Sequence, residues 1–458
     1  MEPSANRTPL ITILGLYGIL TATYSLCVPL WEAPDEPSHY LCVRRLADGP
    51  RFIYPDIPGP AGQPWTKRYF FSLYERAQPP LAYWMTAPAL KILSVRALPI
   101  GAALTYPDVQ PDFSRQANVF IHRRTSVWKM QSDEVRGHLF RLLYLLPGCL
   151  AVGLVYSMAR RLFTVEPAVA ILAGGFTAVL PQFNFVTGTI NNDAFAVLAA
   201  TATLFCLLRL ARARVWPTPV DYGLLGLLLV VALLTKFNLL FLYPLAGVVV
   251  LMKARDTRSA HHGLSAALAT LLPTAGLVGA AYAFWPSAAS ACFHMNLARL
   301  QLIAPHSLDP GQLGERMLNL YQSFWATFGW MRIRVGPWLY WVWGILAAAG
   351  VAGWCCRRAE NEKPQARDDE RRLALLLALA FVLLLAAVIK NMLAVHQAQG
   401  RFLFPAIAPV AILVAAGLLR HVPARRQTGT AWGAILAMLV LNLVCFFGYL
   451  LPASYPGL

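Results

Sequence analysis

Apolar stretches close to the length of a membrane span recur along almost the whole chain, at roughly 10–30, 139–158, 166–182, 193–210, 219–235, 237–252, 263–285, 337–356, 373–390, 402–419 and 430–451. Runs near 20 residues fit spanning helices, whereas a membrane barrel shows alternations of about 10 residues. The chain is 57% hydrophobic and 13% charged, against about 25% charged for a soluble domain, and its mean hydropathy is +0.51. The expected fold class is therefore all-α integral membrane, a bundle of about eleven spans in one domain over 1–458. Leu10–Leu30 is too long for a signal-peptide core and has no small-residue cleavage site before Trp31, so it reads as a retained first span.

The net charge of +17 comes from arginine-rich loops. In a membrane protein such loops signal topology and meet anionic headgroups, so no nucleic-acid partner is expected. Arg7, Arg160-Arg161, Arg209 to Arg214, Lys253 to Arg258, Arg357 to Arg372 and Arg420 to Arg426 all fall on one side of an eleven-span topology. The positive-inside rule makes that side cytoplasmic, with a cytoplasmic N-terminus in the plasma (inner) membrane. The eight cysteines are scattered and form no zinc or disulfide pattern.

Two long loops then lie on the other, non-cytoplasmic side. The first, 31–138, contains a stretch at 37–47 that suits an amphipathic helix, and a proline-broken apolar stretch at 79–93 that suits a re-entrant or interfacial segment. The second, 286–336, contains the aromatic run Ser323–Trp330, readable as an interfacial aromatic belt.

The first loop opens on WEAPDEPSHY, residues 31–40, where Pro34 and Pro37 frame Asp35-Glu36. Pro37 suits a first helical turn. Carboxylates at membrane depth are costly and mark functional sites; the competing reading is a solvated acidic helix cap. The other unusual polar residues converge on the same side. His39, Glu75 and Gln78 share the first loop, Asn192-Asp193 opens the fourth span, and Lys236 lies in the turn after the fifth. His396, Gln399 and Arg401 fill the turn before the tenth. Each has a plainer reading: a helix cap for Asn192-Asp193, a snorkelling anchor for Lys236, a headgroup contact for Arg401. Together, carboxylates and cations at one depth suit chemistry in which a phosphate leaves and a hydroxyl loses its proton.

APDEPSHY, QPPLAYW, GTINNDAF, LTKF, SFWATFGW and QGRFLFP, in that order, resemble the domain-of-unknown-function family 2142 of bacterial and archaeal membrane proteins. That family lies near the GT-C fold glycosyltransferases, which include protein O-mannosyltransferases and the lipid A aminoarabinose transferase. The resemblance runs from about residue 10 to 420. It implies a GT-C-like bundle with juxtamembrane helices in the first outer loop, and inverting transfer of a sugar from a polyprenyl-phosphate donor to a glycan, lipid or protein acceptor. By motif match it assigns Asp35 as base or acceptor-activating carboxylate, with Glu36 able to share the role. Lys236 and Arg401 would hold the donor phosphate, and His39, Glu75, Gln78, Asn192 and Asp193 would line the sugar or acceptor pocket, with His396 and Gln399 in the adjoining turn.

A lipid or polysaccharide transporter would need polar residues through the span centres, which are almost free of charge. A glycan ligase or polymerase would share the same outer site, and a non-catalytic scaffold would not need Asp35. No obligatory cofactor is expected. A divalent cation on Asp35, Glu36 and His39 is the one metal reading, and no spacing supports it specifically.

Overall fold

Proline and glycine set the breaks between long apolar helices in the computed structural model, which describes residues 7–48, 78–93, 132–164, 166–213, 216–257, 260–284, 310–355, 364–395 and 397–455. Glu75, His396, Cys292 and His294, and much of both long loops, lie outside the described residues. The helices are α1 (Thr8–Cys27), α2 (Glu36–Asp48), α3 (Leu81–Ile92), α4 (Ser132–Leu142), α5 (Leu145–Leu162), α6 (Pro167–Val179), α7 (Pro181–Thr187) and α8 (Asp193–Arg212). There follow α9 (Pro219–Thr235), α10 (Leu242–Thr257), α11 (Ala260–Phe284), α12 (Pro310–Trp325), α13 (Pro337–Gly353), α14 (Pro364–Val395), α15 (Ile407–Arg420) and α16 (Ala424–Cys445).

Among the described residues, eight helices are long and apolar enough to cross a membrane, or nine if the bent pair α6–α7 is one span. α9 and α13 are shorter apolar helices. At 17 residues each, they reach about 25 Å at 1.5 Å per residue, just under a hydrocarbon core of about 30 Å. The eleven expected spans thus all fall on helices, but the third is not a simple rod. α6 and α7 meet at 60° because Pro181 cannot continue the hydrogen-bond ladder. The carbonyls freed there are taken up by side chains: Asn184 donates to the Ala178 carbonyl (2.9 Å) and Asn442 to that of Val179 (2.9 Å). Asn442 also donates to Asn184 Oδ1 (2.8 Å). A break at membrane depth is tolerated where buried neighbours restore the lost bonds.

The amphipathic stretch expected at 37–47 is α2, and the interfacial stretch expected at 79–93 is α3, which runs through Pro88. These two helices pack on each other. Their apolar faces form a small separate core in which Trp31, Tyr40, Tyr83, Phe140 and Ile190 meet. The outer face of α3 leaves Met85 and Ile92 exposed, 60% and 80%, as suits a helix lying at a bilayer surface.

Ser323–Trp330 departs from the aromatic-belt reading. Phe324, Trp325 and Phe328 are buried, and the segment ends α12 and enters a two-stranded hairpin, β1 (Thr327–Phe328) with antiparallel β2 (Ile333–Arg334). The hairpin backbone is tied to the bent span where Thr327 N–H donates to Gln182 Oε1 (2.8 Å). Trp325 stacks on Trp343 at 5.6 Å between centroids. The aromatics are core here, and they brace the bend.

Candidate active site

The chain leaves α1 at Val28 and doubles back before α2, and two residues of that turn take left-handed backbone conformations, Trp31 (φ 76°) and Asp35 (φ 63°). Asp tolerates this region and a bulky aromatic does not, so something must hold Trp31. Its N–H donates to Glu36 Oε2 (2.9 Å) and its carbonyl accepts from Trp330 Nε1 (3.1 Å). The Asp35 carbonyl accepts from the N–H groups of Ser38 and His39 (both 3.0 Å), starting α2.

Glu36 differs from the role its motif suggested. Its side chain is fully buried, and Arg141, equally buried, forks onto it with Nε to Oε1 at 2.6 Å and Nη2 to Oε2 at 2.5 Å. The Ile190 N–H adds a further donor at 3.0 Å. With both oxygens committed to fixed donors, Glu36 is a buried anchor of the turn. Arg141 was not among the residues singled out from the sequence, where it is one more arginine in a basic stretch.

Asp35 points the other way. Its carboxylate pairs with Arg401, and its side chain keeps 13% exposure. Arg401 enters from the 3₁₀ turn Gly400–Ala406. Its Nη1 also reaches Asp193 Oδ2 (3.4 Å) and the Pro34 carbonyl (3.3 Å). Asp193, the first residue of α8, accepts from Lys236 Nζ at 2.5 Å. Asp35, Arg401, Asp193 and Lys236 therefore alternate in sign along one buried chain. Both cations also sit near the Phe402 ring, at 5.4 Å for Arg401 and 5.6 Å for Lys236, a contact that favours cations in a desolvated site.

This geometry decides the plainer readings. Lys236 and Arg401 are 8% and 5% exposed: neither snorkels to solvent nor lies on the surface. Helix capping belongs to Asn191, whose Oδ1 accepts from Asp193 N–H (2.8 Å). Asn192 is freed to face Gln78, with Nδ2 to Oε1 at 3.4 Å, and its own Oδ1 is buried with no partner among the described residues. The Gln399 Oε1 is likewise buried with no partner among the described residues.

Gly400 is fixed by contact. Its N–H donates to Ser323 Oγ (2.7 Å), and a Cβ there would lie 2.0 Å from the Phe324 backbone nitrogen. The turn that delivers Arg401 can therefore sit against α12 only with glycine at this position.

His39 donates to or accepts from the Tyr83 hydroxyl through Nδ1 (2.7 Å). Burial pushes its imidazole well below the usual range, Lys236 and Arg401 push it further, and Asp193 opposes them. It is held neutral, so it adds no positive charge for a phosphate. The unfolded chain would take up this proton near pH 6.5. Below that pH the unfolded state binds more protons than the native state, so the His39 contribution falls as pH drops and is flat above. Replacing His39 by Gln is expected to flatten the loss of thermal stability between about pH 6.5 and 5; an unchanged slope in detergent melts would contradict the assignment.

Among the described residues, no three His, Cys, Asp or Glu side chains gather as a metal site. The one set named for a cation is split: Glu36 turns to Arg141, Asp35 to Arg401, and His39 to Tyr83.

The model of the dolichyl-phosphate-mannose-protein mannosyltransferase family matches residues 134–278. The crystal structure of apo ArnT from Cupriavidus metallidurans superposes with a TM-score of 0.51 over 98% of this chain and 75% of that one, at 14% identity. The chain shares the ArnT fold. The ArnT structure titled as bound to undecaprenyl phosphate aligns with a TM-score of 0.49 at 15% identity, over the same 98% and 75%. Among curated proteins, none matches. The GT-C-like resemblance read from the motifs is thus met by a family match over 134–278 and by the fold. The family match takes in Arg141, Asp193 and Lys236 and stops short of Arg401, while Asp35 precedes it.

Proposed function

We propose that this protein moves a sugar from a polyprenyl-phosphate donor to an acceptor hydroxyl on the non-cytoplasmic face of the plasma (inner) membrane, inverting the anomeric centre, with its N-terminus in the cytoplasm. The observation that carries this reading is the pairing of one partly exposed carboxylate, Asp35, with buried Arg401, which shares the Asp193 carboxylate with a second buried cation, Lys236.

In this reading Asp35 takes the proton from the acceptor hydroxyl. The freed oxygen attacks the anomeric carbon from the face opposite the phosphate, and the carbon–oxygen bond to that phosphate breaks. Polyprenyl phosphate leaves with the bonding electrons. Its growing negative charge meets Arg401, which can offer two N–H groups to two oxygens, and Lys236, a point charge. Preorganised charges of this kind are the largest single contribution in many enzymes. Asp193 is a positioning residue that aims both cations. Asn192 and Gln399 offer buried amide oxygens, and half-buried Gln78 its amide, to sugar hydroxyls, and neutral His39 with Tyr83 closes that side. The lipid chain can stay in the bilayer while its phosphate sits at headgroup depth. A glycan ligase or polymerase would use the same site with a longer donor or acceptor.

The test is transfer in proteoliposomes offered a panel of labelled polyprenyl-phosphate sugars. The wild-type protein is expected to consume at least one of them and release polyprenyl phosphate. Arg401→Ala is expected to lose roughly a hundredfold or more. Arg401→Ala working at the wild-type rate would overturn the phosphate role.

A further inference from the structure

A cavity of about 280 Å³ opens at the far end of α8, between α5, α8 and α14. α8 starts at Asp193 in the site and ends at Arg212 on the cavity, 20 residues later, about 30 Å at 1.5 Å per residue. The cavity therefore belongs to the opposite membrane face and takes no part in the chemistry above.

Its composition is split. Met158, Leu208 and Leu373 form an apolar floor, and Arg161, Arg209 and Arg212 stand on the rim; the three floor residues are buried and the three arginines exposed. The arginines are not merely scattered along a loop. The Arg212 Nη1 donates to the Arg161 carbonyl, which brings the ends of α5 and α8 together. The Arg161 guanidinium lies 5.0 Å from the Phe205 ring centroid. Arg209 pairs with Asp221, the acid that caps α9. Next to Leu373, Arg372 pairs with Asp256 at 3.0 Å. Asp221 and Asp256 thus offset Arg209 and Arg372, while among the described residues Arg161 and Arg212 meet no acid within ion-pair distance and leave the rim with excess positive charge.

We infer that this cavity binds an anionic phospholipid with no cation in its headgroup, the phosphodiester between Arg161 and Arg212 and the start of an acyl chain on the Met158–Leu208 floor. Basic pockets between spanning helices suit such headgroups. The apolar floor would gain nothing from inorganic phosphate, whereas burial of each CH₂ of a lipid chain is favourable. A choline or ethanolamine headgroup would bring its own cation against the rim. Bound there, the lipid would tie α5 to α8 at the end remote from Asp193.

The test is native mass spectrometry of the detergent-purified full chain, titrated in parallel with phosphatidylglycerol, phosphatidylcholine and inorganic phosphate. Wild type is expected to retain phosphatidylglycerol at least tenfold better than phosphatidylcholine. The double variant Arg161→Gln, Arg212→Gln is expected to lose that preference. A control, Arg425→Gln with Arg426→Gln, removes the same charge from exposed positions elsewhere and is expected to keep it. Leu208→Trp, which fills the floor while leaving every charge, is expected to weaken retention as well. Equal retention by wild type and the Arg161/Arg212 variant, or equal loss in the control, would overturn the proposal. Displacement of phosphatidylglycerol by equimolar inorganic phosphate would replace the lipid by a free anion and overturn it too.

Discussion

Arg141→Ala is expected to be the most destabilising single substitution at the site end of the molecule, costing about 3–5 kcal/mol, the range for breaking a buried ion pair by removing one partner. The side chain is fully buried and all five of its guanidinium N–H groups are spent. Two go to Glu36 and three to the carbonyls of Ser25 (3.1 Å), Val28 (2.6 Å) and Pro29 (3.0 Å). Those carbonyls are the last of α1 and the turn after it, which no helical N–H can reach. One residue of α4 therefore closes the end of α1 and, through Glu36, also holds the N–H groups of Trp31 and Ile190. Removal leaves a buried carboxylate without its counter-charge and the Val28 carbonyl bare, with Ser25 keeping only the His138 ring (2.8 Å) and Pro29 only the Glu32 N–H (3.4 Å). Arg141→Lys is expected to rescue little, because one ammonium cannot serve a carboxylate and three carbonyls set around a planar fork. Denaturant titration of the detergent-solubilised variants measures this. Arg141→Ala as stable as wild type would show the pair to be incidental.

Asp35→Asn is expected to lower the transfer rate by roughly 10²–10⁴, the range for a general base, with little loss of stability. The variant suits the question because Asn, like Asp, tolerates the left-handed backbone found here. Arg401 would keep Asp193 and the Pro34 carbonyl, so the cation stays anchored while the base is lost. The two substitutions separate the neighbours of one motif. Glu36 and Arg141 build the turn; Asp35 works in it.

Much of this arrangement was legible in the chain because a membrane helix writes itself as a long apolar run, and polar residues between such runs need a reason. The spans, the α2 and α3 segments, and the convergence of Asp35, Asp193, Lys236 and Arg401 all follow from that contrast. What was illegible depended on pairing over distance. Nothing in the sequence marks Arg141 as the partner of Glu36, 105 positions away, since it reads as one more arginine at the start of a span. The bend at Pro181 looks like one span because the asparagines that repair it, Asn184 and Asn442, are 258 positions apart. Capping fell to Asn191 rather than Asn192 because a shift of one residue turns a side chain from backbone to cavity, and periodicity does not resolve one residue at a helix start. The aromatics of Ser323–Trp330 suit a bilayer surface and a core equally well; only their burial against the bent span tells which.

The central claim is that Asp35, paired with Arg401, is the working carboxylate. The most direct measurement is the initial rate of sugar transfer from a labelled polyprenyl-phosphate donor by wild-type and Asp35→Asn protein in the same proteoliposomes, each checked for an unchanged melting temperature. The account predicts at least a hundredfold loss in a protein that melts as wild type does. Transfer by Asp35→Asn at the wild-type rate would contradict it and remove Asp35 from the chemistry.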